Sequence, residues 1–429
     1  MIKRTISLIL SAVMCISLAG CAGGAADAQK TETKTETETA QNKEDKKEET
    51  AEETTKEEAE VTEEVTEEVE EEATEETEKK EDEPVVVTDL LDREVTIPSE
   101  INRIAAIAGP TYEMVFMLGS ADKIAMVKSG HTQDYPLALL TNPALADCAG
   151  IAANPSSTVN IEDYLENEID LVIYYDNEIE LKKFDAVDMA AVVATKNTGL
   201  LDTLEEVQAQ TIDDFIGNLT TPLSILSEAL GTEEAKAEYE AWASYCDEKL
   251  KMVYERTKDI PMEERKTVYW GNTWGEEIRS TYALKNRYYE IYLAGGNLIG
   301  PEENSNFPEV TAEQLYDWDP DIILVDNHGG VPDLVMKSMY KENSKWSTLS
   351  AVKNEQLYRI PAGVFFLDKG STTTLLVLWM AQILHPDLFE DVDILEEVKY
   401  YYQEFYEYEL TDEQAQNVIN GWVDSGENN

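Results

Sequence analysis

The sequence predicts an α/β protein built of two Rossmann-like lobes joined by a long helix. Three observations predict it. Short apolar runs of strand length alternate with helix-length segments on both sides of one long helical stretch, Leu201 to Ile260. Such alternation gives mainly parallel sheets covered by helices. Within the stretch, Ala235, Tyr239, Trp242, Cys246, Leu250 and Val253 recur in steps of three and four, one apolar stripe along a helix. About 24 residues at about 1.5 Å each run for roughly 36 Å, enough to cross between two small domains. Finally, one unit occurs on each side. Asn160-Ile-Glu-Asp-Tyr-Leu leads to Asp170-Leu-Val-Ile, and Thr311-Ala-Glu-Gln-Leu-Tyr leads to Asp321-Ile-Ile-Leu. Each reads as a short capped helix feeding a buried strand.

The chain opens with Met1-Ile-Lys-Arg and an uncharged run from Thr5 to Leu18. These are the basic and apolar regions of an export signal, too short for an ordinary membrane span. Leu18-Ala-Gly-Cys21 then has the form of a bacterial lipobox. Residues 1–20 are therefore expected to be a lipoprotein signal peptide, and Cys21 the lipidated first residue of the mature chain. Lipid would hold an otherwise soluble protein at the extracytoplasmic face of the cell membrane. Only Cys148 and Cys246 remain for the folded part, with no CxxC or Cys/His zinc spacing and nothing that pairs them.

Residues 21–84 hold the lipidation site followed by Glu, Thr, Lys and Ala with almost no large apolar residue. Such a segment cannot bury enough surface to offset its ordering entropy. It is expected to be a disordered acidic tether, kept extended by charge repulsion. The formal net charge of −54 comes only partly from it. A strongly acidic balance argues against a nucleic-acid partner.

From Val85 on, roughly 340 residues suffice for two domains. The expected division is an N-terminal lobe at 85–212, a connecting helical segment at 213–260, and a C-terminal lobe with C-terminal helices at 261–429. Val85 to Pro98 reads as two short strands around a turn at Asp89 to Asp92. Arg103 to Ala108 is a buried strand entering a helix that Thr111 can cap and Gly119 can end. Further strands are expected at 123–127, 171–175 and 191–195. The long stretch is broken at Thr220-Thr-Pro222, and the crossing part is expected after Gly231. Beyond it, strands are expected at 266–270, 321–326 and 356–361. Tyr288 to Ala294 is helical, Thr372 to Leu384 is an apolar helix too short to span a bilayer, and Asp393 to Gly421 is helical and rich in Tyr.

Several short motifs now line up. Leu90-Leu-Asp-Arg-Glu-Val-Thr-Ile-Pro, Asn102-Arg-Ile, Gly109-Pro-Thr-Tyr-Glu, Leu118-Gly and Asp122-Lys-Ile occur in that order, followed by Gly296-Asn-Leu and Asp317-Trp-Asp-Pro-Asp-Ile-Ile. With the lipobox, this order resembles the substrate-binding proteins of iron-siderophore, haem and vitamin B12 ABC importers. The likeness covers nearly everything from Val85 to Gly421. It implies a rigid backbone helix between the lobes, a ligand cleft between them, and no catalysis. It also implies that Glu162 and Glu313, equivalent in the repeated unit, dock on Arg residues of the permease, since Arg–carboxylate pairs are charge-assisted. Without the resemblance, both carboxylates simply suit a helix first turn. Two departures stand out. Leu91-Asp92 replaces a residue followed by Gly, and the loop after Pro361-Ala-Gly lacks the usual Trp and downstream Glu.

Ligands of open α/β sheets lie at the carboxyl ends of the strands. The loops there supply Tyr112, His131, Tyr175, Asn177, Lys196, Trp270, Asn272, Trp274, His328, Phe365 and Phe366. Trp270-Gly-Asn-Thr-Trp274 offers a flat apolar wall with amide hydrogen bonds, or two core tryptophans. Lys128, Lys196 and Arg279 are candidates to meet an anion. Three histidines, His131, His328 and His385, are too few for a transition-metal site, so a chelated ligand is favoured over a naked ion. No phosphate loop, nucleophile elbow or zincin motif occurs. The expectation is a monomeric, lipid-anchored binding protein with no cofactor, delivering an iron chelate to an ABC permease. A ferric siderophore comes first, haem or a corrinoid next. The alternatives are a binder of free metal or oxyanion, and a surface hydrolase or ligand sensor on a similar scaffold.

Overall fold

The computed structural model describes residues 85–130, 135–196, 200–274, 277–281, 284–301, 307–326, 332–368 and 370–422. The export signal, the tether, Cys21, His131 and His328 lie outside the described residues, as do the side chains of Trp274 and Arg279.

Strands β1 (Val85–Thr88) and β2 (Glu94–Ile97) form an antiparallel hairpin. Asp89 organises its turn. Its carboxylate accepts from the backbone N–H of Leu91 and Arg93, from Arg93 Nη2 at 2.6 Å, and from the Val193 N–H at 3.2 Å. Asp92 sits at φ 57°, the left-handed conformation that the family's usual Gly adopts more easily. The departure at Leu91-Asp92 therefore alters only a turn residue.

The N-terminal lobe follows as β3 (Ile104–Ala106), α1 (Thr111–Met117), β4 (Ile124–Lys128), α2 (Pro136–Thr141), β5 (Ala149–Ile151), α3 (Ile161–Glu166), β6 (Leu171–Ile173), α4 (Glu178–Asp185) and β7 (Ala190–Val192). The sheet order is β5-β4-β3-β6-β7, every pair parallel. Both faces of β3, β6 and β7 are buried, as expected under helices on each side. Pro110, not Thr111, occupies the cap position of α1, so Thr111 is its first residue. Pro fixes the entry angle there without loss of a needed donor.

The connecting segment comprises α5 (Leu204–Ala209), α6 (Ile212–Leu230) and α7 (Glu233–Thr257). Pro222 does not break it but lies inside α6. Thr220 and Thr221 donate their hydroxyls back to the carbonyls of Ile216 and Gly217, so that turn keeps bonded carbonyls around the missing proline N–H. The break comes instead at Gly231, left-handed at φ 65°. Both long helices cross, where only the second was expected to. Near its start α6 stacks Phe215 on Tyr289 of the C-terminal lobe, ring centroids 4.8 Å apart, and it packs along β1. The return helix α7 starts with Glu234 over Gly119 and ends with Thr257 Oγ1 donating to the Leu293 carbonyl at 2.8 Å. Its buried stripe is Ala235, Trp242, Tyr245, Cys246, Leu250 and Val253, with Tyr239 half-buried.

The C-terminal lobe holds β8 (Thr267–Trp274), β9 (Glu277–Thr281), α8 (Tyr288–Leu293), β10 (Asn297–Leu298), α9 (Ala312–Trp318), β11 (Ile322–Asp326), α10 (Pro332–Met339), α11 (Ser350–Lys353), β12 (Leu357–Arg359), α12 (Thr373–Leu384), α13 (Ile394–Tyr406) and α14 (Asp412–Ile419). Its sheet runs β10-β8-β11-β12 in parallel, with β9 antiparallel on β8. Pairing with β9 carries β8 beyond the expected end at Trp270. Three strands escaped the sequence reading: β5 and β10 are too short for periodicity to register, and β9 is mostly polar. The C-terminal helical region breaks at Glu407, also left-handed, before Thr411 caps α14.

The lobes meet behind the cleft in a buried polar junction. Tyr112 donates its hydroxyl to the Val364 carbonyl. Glu113 accepts from Ser371 Oγ at 3.0 Å and from the Tyr406 hydroxyl at 3.3 Å. The Ser371 carbonyl accepts from Trp242 Nε1 at 3.2 Å and from the Tyr401 hydroxyl at 2.8 Å.

Burial pushes the Glu113 carboxyl up to about 8, against the lowering effect of its bonds to Ser371 and Tyr406. A carboxyl raised on folding stabilises fully below its unfolded value, and that contribution is lost as pH rises through the folded one. The isosteric E113Q cannot ionise. Its unfolding free energy should therefore gain on that of wild type as pH climbs from the ordinary carboxylate range toward 8, at up to about 1.4 kcal/mol per pH unit, read from urea titrations at each pH. A difference that stays flat with pH would show that Glu113 is not held protonated.

Candidate ligand-binding cleft

A cavity of about 320 Å³ opens between the lobes. The N-terminal lobe reaches it through Gly109 and Pro110 after β3, Tyr175 after β6, and Thr195 and Lys196 after β7. These are carboxyl ends of parallel strands, where the backbone must turn and side chains project beyond the sheet. The C-terminal lobe contributes Lys285, Arg287, Tyr289, Glu290, Phe307 and Asp368. The connecting segment supplies a further wall, including Gln210, Phe215 and Asn218.

Three cations converge there in a chain that is strongly acidic overall. Lys285 donates to the Asp202 carbonyl at 2.9 Å, which ties the C-terminal lobe to the stretch leading into α5. Arg287 is largely buried. Its Nη2 meets Asp368 Oδ2 at 2.5 Å, its Nη1 lies 3.6 Å from Glu290 Oε1, and its guanidinium lies 5.2 Å from the Trp270 ring centroid. Trp270 in turn donates to Asp326 Oδ2 at 3.1 Å. Burial raises the Glu290 carboxyl, Arg287 opposes that, and Asp368 adds to it. Burial also pushes the Tyr175 phenol up to about 12, so it stays a neutral hydroxyl.

Of the residues singled out in the sequence, Tyr175 and Lys196 line the cavity. Trp270 backs the wall from beneath Arg287. Tyr112 is fully buried in the interlobe junction, away from the cavity lining. Phe366 packs edge-on against Tyr135 and Phe365. Asn177 caps α4. Asn272 is buried beside β11, and neither atom of its amide finds a hydrogen-bond partner among the described residues. His385 accepts or donates at the Gly295 carbonyl, 2.9 Å away, far along the fold from the cavity lining. Glu162 and Glu313 are exposed in the first turns of α3 and α9, one on each lobe, and neither forms an ion pair among the described residues.

Lys285, Arg287, Glu290 and Asp368 were not anticipated. One signal was available for two of them. Lys285 and Arg287 directly precede α8, and the positive end of a helix dipole disfavours cations there. A placement that costs electrostatic energy points to a use elsewhere.

Residues 104–364 match the family model described as periplasmic binding protein. The chain belongs to the periplasmic binding protein family. It is thus an extracytoplasmic, non-catalytic component of an ABC transporter that binds a small solute. It is similar to the molybdate-binding protein MolA of Haemophilus influenzae, 25% identical over 332 residues, 75% of this chain and 90% of that protein. It is similar also to the uncharacterized ABC transporter substrate-binding lipoprotein YvrC of Bacillus subtilis, 22% identical over 316 residues, 73% and 90%. The Fe(3+)-citrate-binding protein YfmC of Bacillus subtilis is 26% identical over 148 residues, 34% of this chain and 42% of that protein. Among solved structures, a periplasmic solute binding protein from Veillonella parvula superposes with a TM-score of 0.64 at 26% identity, covering 78% of this chain and 96% of that one.

Within this periplasmic binding protein, the Arg287–Asp368 pair is a buried ion pair, and losing one partner strands the other. R287M should lower the unfolding free energy by about 3–5 kcal/mol in urea titration. R287M/D368L should recover most of that loss. If the double variant is no more stable than R287M, the pair is not what organises this wall.

Proposed function

We propose that this chain captures a small anionic solute in the interlobe cleft and hands it to an ABC permease, an oxyanion of the molybdate kind first and iron in an anionic citrate chelate second. The convergence of Lys196, Lys285 and Arg287 on one cavity carries the reading. Walls of low dielectric focus the field of those charges, so a cationic pocket in an acidic protein favours anions locally. The cavity of about 320 Å³ sits at the compact end of ligand pockets, which favours a small anion over haem or a corrinoid. The similarity to a molybdate binder over most of the chain supports the first cargo, and the shorter similarity to a ferric-citrate binder supports the second. Lipidation at Cys21 would keep the protein near its permease.

Titration calorimetry with molybdate, ferric citrate, a ferric hydroxamate siderophore and haem tests the cargo. Molybdate or ferric citrate should bind, and K196A and K285A should each weaken it by about 10- to 100-fold, the worth of a hydrogen bond to a charged group. Tight binding of the siderophore or haem while both anions fail would overturn the reading.

Glu162 and Glu313 are the proposed docking points, exposed, unpaired among the described residues and one per lobe. E162A/E313A should abolish uptake in cells and leave ligand affinity unchanged. Loss of affinity in that variant would place these carboxylates in the wrong role.

A further inference from the structure

The cleft holds an element that a simple anion trap does not require. Two carboxyl groups, Glu290 and Asp368, line it alongside the three cations. Asp368 is committed to Arg287 at 2.5 Å. Glu290 shares the same guanidinium more loosely, at 3.6 Å, and its side chain is only 13% exposed. An anion entering the cavity draws on Arg287, Lys285 and Lys196, the charges that offset a carboxylate there. It also places a further negative charge beside Glu290 in the same cavity. Two like charges in a shared site of low dielectric do not both persist, and neutralising one is the cheaper outcome.

We propose that Glu290 couples anion capture to the uptake of one proton from solvent, so that the loaded site holds the anion beside a neutral carboxyl group. The inference rests on the anionic-cargo reading. Among the described residues, four charged groups line the cavity with Glu290. Arg287 and Lys285 come from the segment ahead of α8, Asp368 from the segment ahead of α12, and Lys196 from the loop after β7. The connecting segment presents Gln210, Asn218 and Phe215 to the cavity, and α12 presents Thr373, none of which titrates in the physiological range. Asp368 is the poorer proton acceptor because its partner bond is short and its charge is already matched. Burial prepares Glu290 for the role by raising its carboxyl before any ligand arrives. The neutral carboxyl then offers an O–H donor to an oxygen of the anion, converting a repulsion into a hydrogen bond.

The consequence is a selectivity set by pH. Affinity for an anion rises as pH falls, by up to about tenfold per pH unit for one linked proton. Titration calorimetry in buffers of different ionisation enthalpy counts the protons. Wild type and E290Q are each titrated with molybdate and with ferric citrate. Taking the difference between the two proteins cancels any proton that citrate itself exchanges. Wild type should take up close to one more proton than E290Q. The affinity of E290Q for molybdate should be independent of pH between about 6 and 8 and match the low-pH limit of wild type. Equal proton counts in both proteins, with binding intact, would overturn the inference and leave the anionic reading standing. So would a carbon-13 carboxyl resonance of Glu290 that stays ionised at saturating molybdate. A wild-type protein that binds neither probe overturns the anionic reading, and proton coupling falls with it.

Discussion

Ser371 ties together every major part of the molecule. Its hydroxyl donates to Glu113 in the N-terminal lobe, and its carbonyl accepts from Trp242 of the long returning helix and Tyr401 of α13. All of these groups are buried, so an unmade bond would cost its full desolvation penalty. Moving one lobe against the other therefore means breaking several buried hydrogen bonds at once. The neighbouring Tyr112 to Val364 bond adds a direct tie between the lobes. Positions of the cleft walls, set by the loops just in front of this junction, inherit its rigidity.

Electrostatics divides the protein into two regimes. The exterior is acidic, which keeps it soluble and repels like-charged surfaces. The cleft gathers cations from separate segments and partly cancels one of them with buried carboxyls. Arg287 is thereby held in a fixed place over Trp270 instead of waving in solvent. Fixed charges bind with less reorganisation than mobile ones, since less side-chain entropy remains to be lost.

Much of the fold was legible because its signals are local. The stripe from Ala235 to Val253 is written in helical steps, and the Asn160 and Thr311 units each carry a helix start and a buried strand within a few residues, although Asn160 occupies the cap position without a side-chain bond to the helix backbone. Thr311 with Gln314 does form the reciprocal capping box that its spacing suggests. Pro222 misled because a proline rule read alone overlooks its neighbours: within the same helix, threonine hydroxyls bond the carbonyls one turn back. The cleft was only partly legible. Lys196 and Tyr175 follow apolar strands and were found by that rule. Arg287 acquires its meaning from Asp368, a residue distant in sequence, and no local pattern announces such a pair. Tyr112 also follows a strand, yet packing among Phe116 and Phe365 turned it inward.

The paired crossing helices have a mechanical corollary. A single rod between two bodies resists bending but lets them twist about its axis. Two antiparallel rods, joined at Gly231 and packed along their length, behave as a plate and resist torsion too. One of those rods is also a wall of the chamber, through Phe215 and Asn218. A solute held in that chamber would rest directly on the stiffened frame. Occupancy would be read by a transporter less as a change of shape than as a change in stiffness and charge of a frame that is already in position.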